Sequence, residues 1–77
     1  VEFADSPAQA TVFAAEAMTQ LKRRAIKPTP NNFMIWYVYA SGQMPDLNKA
    51  IDVLDSNHQD FTESRIVEVF ERFFSTA

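Results

Sequence analysis

Two prolines separated by a single residue, Pro28 and Pro30, set the strongest limit on what this chain can fold into. The residue before a proline is pushed out of the α region, so a helix arriving from the N-terminal side is expected to stop at Lys27-Pro28. Proline is tolerated at the first position of a helix, where its missing N–H has no intrahelical partner. Thr29 can therefore cap a new helix with Pro30 at its start. That helix carries Phe33, Ile35, Trp36, Tyr37 and Tyr39 before Gly42 supplies a natural stop. Phe33, Trp36, Tyr37 and Ala40 fall on one face, with Ile35 and Tyr39 towards another. A helix that is apolar around much of its girth is central to a domain or faces a partner.

Similar punctuation recurs along the chain. Ser6-Pro7-Ala8-Gln9 has the form of a capping box with proline at the first helical position. Ala10, Phe13, Ala14, Ala17, Met18 and Leu21 follow as one apolar stripe. Lys22, Arg23, Arg24 and Lys27 gather at its C-terminal end, where cations complement the helix dipole. Met44-Pro45-Asp46 opens a third helix with Leu47, Ala50, Ile51 and Leu54 as its inner stripe. Residues 55–60 are polar and read as a loop. Thr62 caps a fourth helix, with Phe61 and Ile66 at staple spacing. Ile66, Val69, Phe70, Phe73 and Phe74 form its apolar side. Glu68 and Arg72 are spaced to pair on its wet side, worth about 0.2–0.5 kcal/mol.

One glycine in 77 residues hardly supplies the turns of an all-β domain. The chain is thus expected to be all-α, a single domain over residues 1–77. Short connections between its helices favour antiparallel neighbours and a compact bundle of about four short helices. Its start at Val1 rather than Met suggests a piece of a longer protein.

Composition narrows the function classes. There are no cysteines, so disulfides and thiolate metal sites are excluded, and a reducing, cytoplasmic setting is the expectation. The net charge of -3 and pI of about 4.9 argue against a nucleic-acid-binding face. No apolar run approaches the roughly 20 residues that span a bilayer, so no membrane insertion is expected. The only histidine, His58, lies between Asp55 and Asp60 without a third metal ligand at recognisable spacing. Ser6, Ser41, Ser56, Ser64 and Ser75 have no base at recognisable spacing either. Asn31 and Asn32 read as first-turn residues that bond locally. The sequence assigns no catalytic residue, no cofactor-binding residue and no metal ligand.

The segments Pro28-Thr29-Pro30-Asn31-Asn32-Phe33, Ile35-Trp36-Tyr37, Tyr39-Ala40-Ser41-Gly42, Pro45-Asp46-Leu47 and Ala50-Ile51 together resemble a known accessory region. It is the helical N-terminal domain found ahead of the catalytic domain in some bacterial GGDEF-type diguanylate cyclases. The resemblance runs from about the first helix to Phe70. The Gly-Gly-Asp/Glu-Glu-Phe signature is absent from these residues, so no catalytic residue carries over. The resemblance implies a regulatory or dimer-forming module of an enzyme that makes cyclic di-GMP, with a second copy or another signalling protein as partner.

Six residues are candidates for such an interface: Ile35, Trp36 and Tyr39 on the second helix, and Phe70, Phe73 and Phe74 on the last. For each of them the alternative is burial in the core. A reading from another class is a sensory domain with a small apolar ligand between Trp36, Tyr39 and the last helix.

Overall fold

The computed structural model describes residues 3–75. Four α-helices follow one another: α1 (Pro7–Arg23), α2 (Pro30–Ser41), α3 (Pro45–Ser56) and α4 (Glu63–Phe74). No strand is present among the described residues. The domain is all-α, and its radius of gyration of 12.0 Å is close to the ~11 Å expected of a compact chain this long.

The helix starts lie where their chemistry places them. Ser6 Oγ accepts from the Gln9 N–H while the Gln9 side chain accepts from the Ser6 N–H, completing the capping box. The Thr29 hydroxyl accepts from the Asn32 N–H and the Thr62 hydroxyl from the Arg65 N–H. Asn32 also donates its amide to the Lys27 carbonyl, a local bond typical of an asparagine in a first turn. α3 starts at Pro45 after Met44, which offers no side-chain cap.

Two helix ends differ from the sequence expectation. α1 stops at Arg23 rather than at Lys27-Pro28. Ala25 turns left-handed, with φ 54°. The Ile26 N–H then donates to the Leu21 carbonyl and the Ala25 N–H to the Lys22 carbonyl. This is a Schellman closure with alanine in the place glycine prefers. The reversal folds Ile26 back into the core near Leu21, and that burial offsets the left-handed alanine. α3 closes in the same way: His58 has φ 55°, the Gln59 N–H reaches the Leu54 carbonyl and the His58 N–H the Asp55 carbonyl. Asp55 and Ser56, expected in a loop, are therefore the last turn of α3. α2 ends at Gly42 with φ 73°, as the sequence suggested.

α2 is the hub. Ile35, Trp36 and Val38 are all buried, and they point in directions spread over about 160° at 100° per residue. α1 lies closest to α2, and α4 also packs against it. Ala17 and Leu21 from α1, Ile26, Leu47 and Ile51 from α3, and Ile66 and Val69 from α4 complete the core. This arrangement corrects two of the interface candidates. Ile35 is 0% and Trp36 1% exposed, so both are core residues. Helices packed on different sides of α2 cover faces that looked free on a helical wheel.

Candidate functional site

The structure brings four groups together around Arg24, which follows directly on α1. Its guanidinium makes paired hydrogen bonds to Asp55 at 2.7 and 3.0 Å, and its Nε donates to Gln20 at 3.1 Å. Gln20 is buried, and it donates in turn to Glu16. The guanidinium lies 4.6 Å from the Phe61 ring centre and 5.5 Å from that of Trp36. Phe61, expected as a staple on Ile66, sets its ring edge-on to Trp36 at 5.5 Å. The bond to Arg24 holds the Asp55 carboxyl below the ordinary carboxylate range. This cluster ties α1, α2, α3 and the start of α4 together. Arg24 is thus more than a dipole-complementing cation: the i, i+4, i+8 spacing of Glu16, Gln20 and Arg24 was its available sequence signal.

The remaining interface candidates are half-buried. Tyr39 donates its hydroxyl to Asp52 at 2.7 Å. That bond, then partial burial, then the carboxylate charge push its phenol up to about 12. On the other side of α2, Tyr37 donates its hydroxyl to Asp5 at 2.9 Å, with Phe3 and Phe13 set edge-on to its ring. Phe70 and Phe74 lie against each other, ring centres 5.4 Å apart.

α4 divides its apolar arc between two surroundings. Ile66 and Val69 are buried and Phe73 lies beside them. At 100° per residue, Val67, Phe70 and Phe74 fall within about 60° of one another along the outer edge of that arc. Val67 is 53% exposed. A groove runs beside this edge, between α4 and the segment bearing Lys27, Thr29 and Asn32. Glu63 and Glu71 stand on its α4 side, with Glu63 3.5 Å from Lys27.

A second groove lies on the other flank, between α3 and α4. α3 lines it with Asp46, Lys49, Ala50, Val53 and Leu54; α4 with Arg65, Glu68, Val69, Arg72 and Phe73. Both sets have the i, i+3, i+4, i+7, i+8 spacing of one helix face. The expected Glu68–Arg72 ion pair does not form among the described residues. Arg72 instead lies 5.0 Å from the Phe73 ring centre, a cation–π contact comparable in worth to the exposed ion pair it replaces.

No family model, curated protein or solved structure matches this chain. The chemistry of the surface therefore has to speak for it. Among the described residues no three His, Asp or Glu side chains converge in a way that holds a metal ion. His58 occupies a helix-terminating turn. No helix among these residues is long and apolar enough to cross a membrane. What the geometry offers is two helix-lined grooves flanking α4, with apolar linings and charged rims. Sequence reading placed Phe70, Phe73 and Phe74 on one apolar side; the structure puts Phe73 in the groove beside α3 and Phe70 in the other, with Phe74 lying against Phe70 and lining neither. It missed Val53, Lys49 and the α3 wall.

Proposed function

We propose that this domain is a non-catalytic interaction module that pairs two copies of an attached diguanylate cyclase, or receives a signalling protein that regulates one. The observation that carries the reading is the outer edge of α4, where Val67, Phe70 and Phe74 leave an apolar stripe incompletely covered by the domain's own core. Helix stripes of this kind associate with another helix or groove. The resemblance, carried by motif residues that lie between Pro28 and Ile51, supplies the enzyme. Its residues are those that build the α2–α3 scaffold: Thr29 and Pro30 start α2, Trp36 fills the core, Gly42 closes α2 and Pro45 opens α3. A diguanylate cyclase joins two GTP molecules held by facing catalytic domains. A pairing module raises the effective concentration of one catalytic domain near the other. The sensory reading has less support, because Trp36 is sealed in the core and neither Trp36 nor Tyr39 lines either groove.

The test is molar mass by light scattering across a concentration series. The domain is expected to move from monomer to dimer, and Val67→Asp to hold it at monomer with its helical signal intact. A wild-type domain that stays monomeric at every concentration overturns self-pairing. Incubated with GTP and magnesium, these residues alone are expected to make no cyclic di-GMP, and detectable product overturns the non-catalytic assignment. The cyclase link is checked in the parent reading frame, where a GGDEF signature is expected and its absence removes that link.

A further inference from the structure

We infer that the groove between α3 and α4 docks one amphipathic helix of a partner protein, with carboxylates bordering that helix's apolar side. The occupant's shape follows from the walls. Each wall is a single helix face covering about 12 Å at 1.5 Å per residue, and two such faces side by side present the ridges and groove that a third helix fills. Val53, Leu54, Val69 and Phe73 supply its apolar lining, and Val53 is 50% exposed. The occupant's charge follows from the rim. Lys49, Arg65 and Arg72, three of the chain's seven Lys and Arg residues, line this groove. None of them has a carboxylate in ion-pair range among the described residues, where the two ion pairs are Arg24–Asp55 and Lys27–Glu63. Arg65 donates to the Asp60 carbonyl, which leaves its charge uncancelled. Of the two acids present, Asp46 sits in the first turn of α3, where the helix dipole already answers its charge. The rim is therefore net positive on a protein of net charge -3.

A second copy of this chain offers Glu63 and Glu71 beside Val67 and Phe70, but seating that edge in this groove is a head-to-tail contact, which extends rather than closing a pair.

The probe is a pair of fluorescent synthetic helical peptides with the same Leu stripe, one flanked by Glu and one by Lys, read by anisotropy. The Glu peptide is expected to bind about tenfold tighter or more, and to weaken as salt screens the rim. Lys49→Glu with Arg72→Glu, both at exposed positions, is expected to reverse the preference. Val53→Lys adds positive charge while blocking the apolar lining, and is expected to abolish binding of the Glu peptide with the circular dichroism unchanged. Absence of binding, equal binding of both peptides, or Glu-peptide binding that survives Val53→Lys overturns the inference. So does growth of unliganded protein into open-ended oligomers that Val53→Lys dissolves. Self-pairing is read separately, from the mass of the unliganded domain and the Val67→Asp variant on the opposite flank, so failure of either reading leaves the other standing.

Discussion

Arg24 grips Asp55 with two parallel hydrogen bonds, Nη1 to Oδ1 at 2.7 Å and Nη2 to Oδ2 at 3.0 Å, joining the end of α1 to the last turn of α3. A carboxylate at a helix C-terminus is unfavourable to the dipole, and the guanidinium offsets that. Because the same guanidinium lies near the Phe61 and Trp36 rings, Arg24→Ala removes charged hydrogen bonds and a cation–π contact together. A loss of about 2 kcal/mol is expected in urea unfolding. Arg24→Lys keeps the charge but not the fork, and is expected to recover less than half of it. Full recovery by lysine would mean that a point charge suffices.

The same pair sets an acid dependence. Arg24 lowers the folded pKa of Asp55 below its ordinary value of 3.8. A depressed carboxyl contributes stability that is present above the ordinary value and lost as pH falls through the folded one. Asp55 is 42% exposed, so solvent screening keeps its share to about 1 kcal/mol or less. Asp55→Asn is expected to lower stability at neutral pH, and the gap from wild type to shrink as pH drops below 3.8. A gap independent of pH would assign the loss to packing instead.

Left-handed residues give a test of backbone conformation apart from packing. A methyl group on Gly42 would meet nothing within 4 Å, yet φ is +73°. Gly42→Ala is expected to cost about 1 kcal/mol through conformation alone. Ala25 occupies the same kind of position with a side chain already in place. Ala25→Gly is expected to raise stability by about 0.5–1 kcal/mol, the relief of strain exceeding the added freedom of the unfolded chain. Both are read as shifts in urea midpoint at constant slope.

These turns also mark how far the sequence could be read. The starts at Ser6, Thr29 and Thr62 were legible because a hydroxyl bonds to an N–H three residues on, a rule contained within one short segment. The ends at Ala25 and His58 were not, because neither residue advertises a left-handed conformation: burial of Ile26 drives the first reversal, and burial is a property of the assembled domain. Ile35 and Trp36 looked available for an interface because a helical wheel cannot count how many neighbours a helix has. The same limit hid the α3/α4 groove. The apolar stripes read from the sequence shared only Ala50 and Leu54 with one wall and Val69 and Phe73 with the other, and only tertiary packing sets Lys49 and Val53 opposite Arg72 and Phe73.

Trp36 separates volume from hydrogen bonding in the core. Its ring is 1% exposed, while its Nε1 has no hydrogen-bond partner. Trp36→Ala leaves a large cavity and is expected to cost about 3–5 kcal/mol, enough to unfold a domain of this size. Trp36→Phe keeps most of the ring volume and removes a donor that bonds to nothing, so no hydrogen bond is lost. Its expected cost is about 1–2 kcal/mol, well below that of alanine. Thermal and urea unfolding of the two variants decide the matter. A phenylalanine variant as damaged as the alanine one would mean that the N–H has a partner in solution, such as a buried water.

Tyr39 supplies a prediction at the alkaline end. Its hydrogen bond to Asp52 links α2 to α3 and holds the phenol at about 12, against an ordinary 10.0. A raised folded pKa means the proton is held more tightly in the native state. The stability it contributes is fully present below 10.0 and drains away as pH rises towards 12. Tyrosinate absorbance during alkaline titration is expected to show Tyr39 ionising late in wild type. In Asp52→Asn the carboxylate is gone and ionisation is expected to move back towards the ordinary value, because the largest cause of the shift is the hydrogen bond to that carboxylate, and its charge adds to it. Tyr39→Phe is expected to make the alkaline limb of stability less steep between those two pH values. An unchanged titration in Asp52→Asn would mean that burial, rather than the α2–α3 bond, holds the proton.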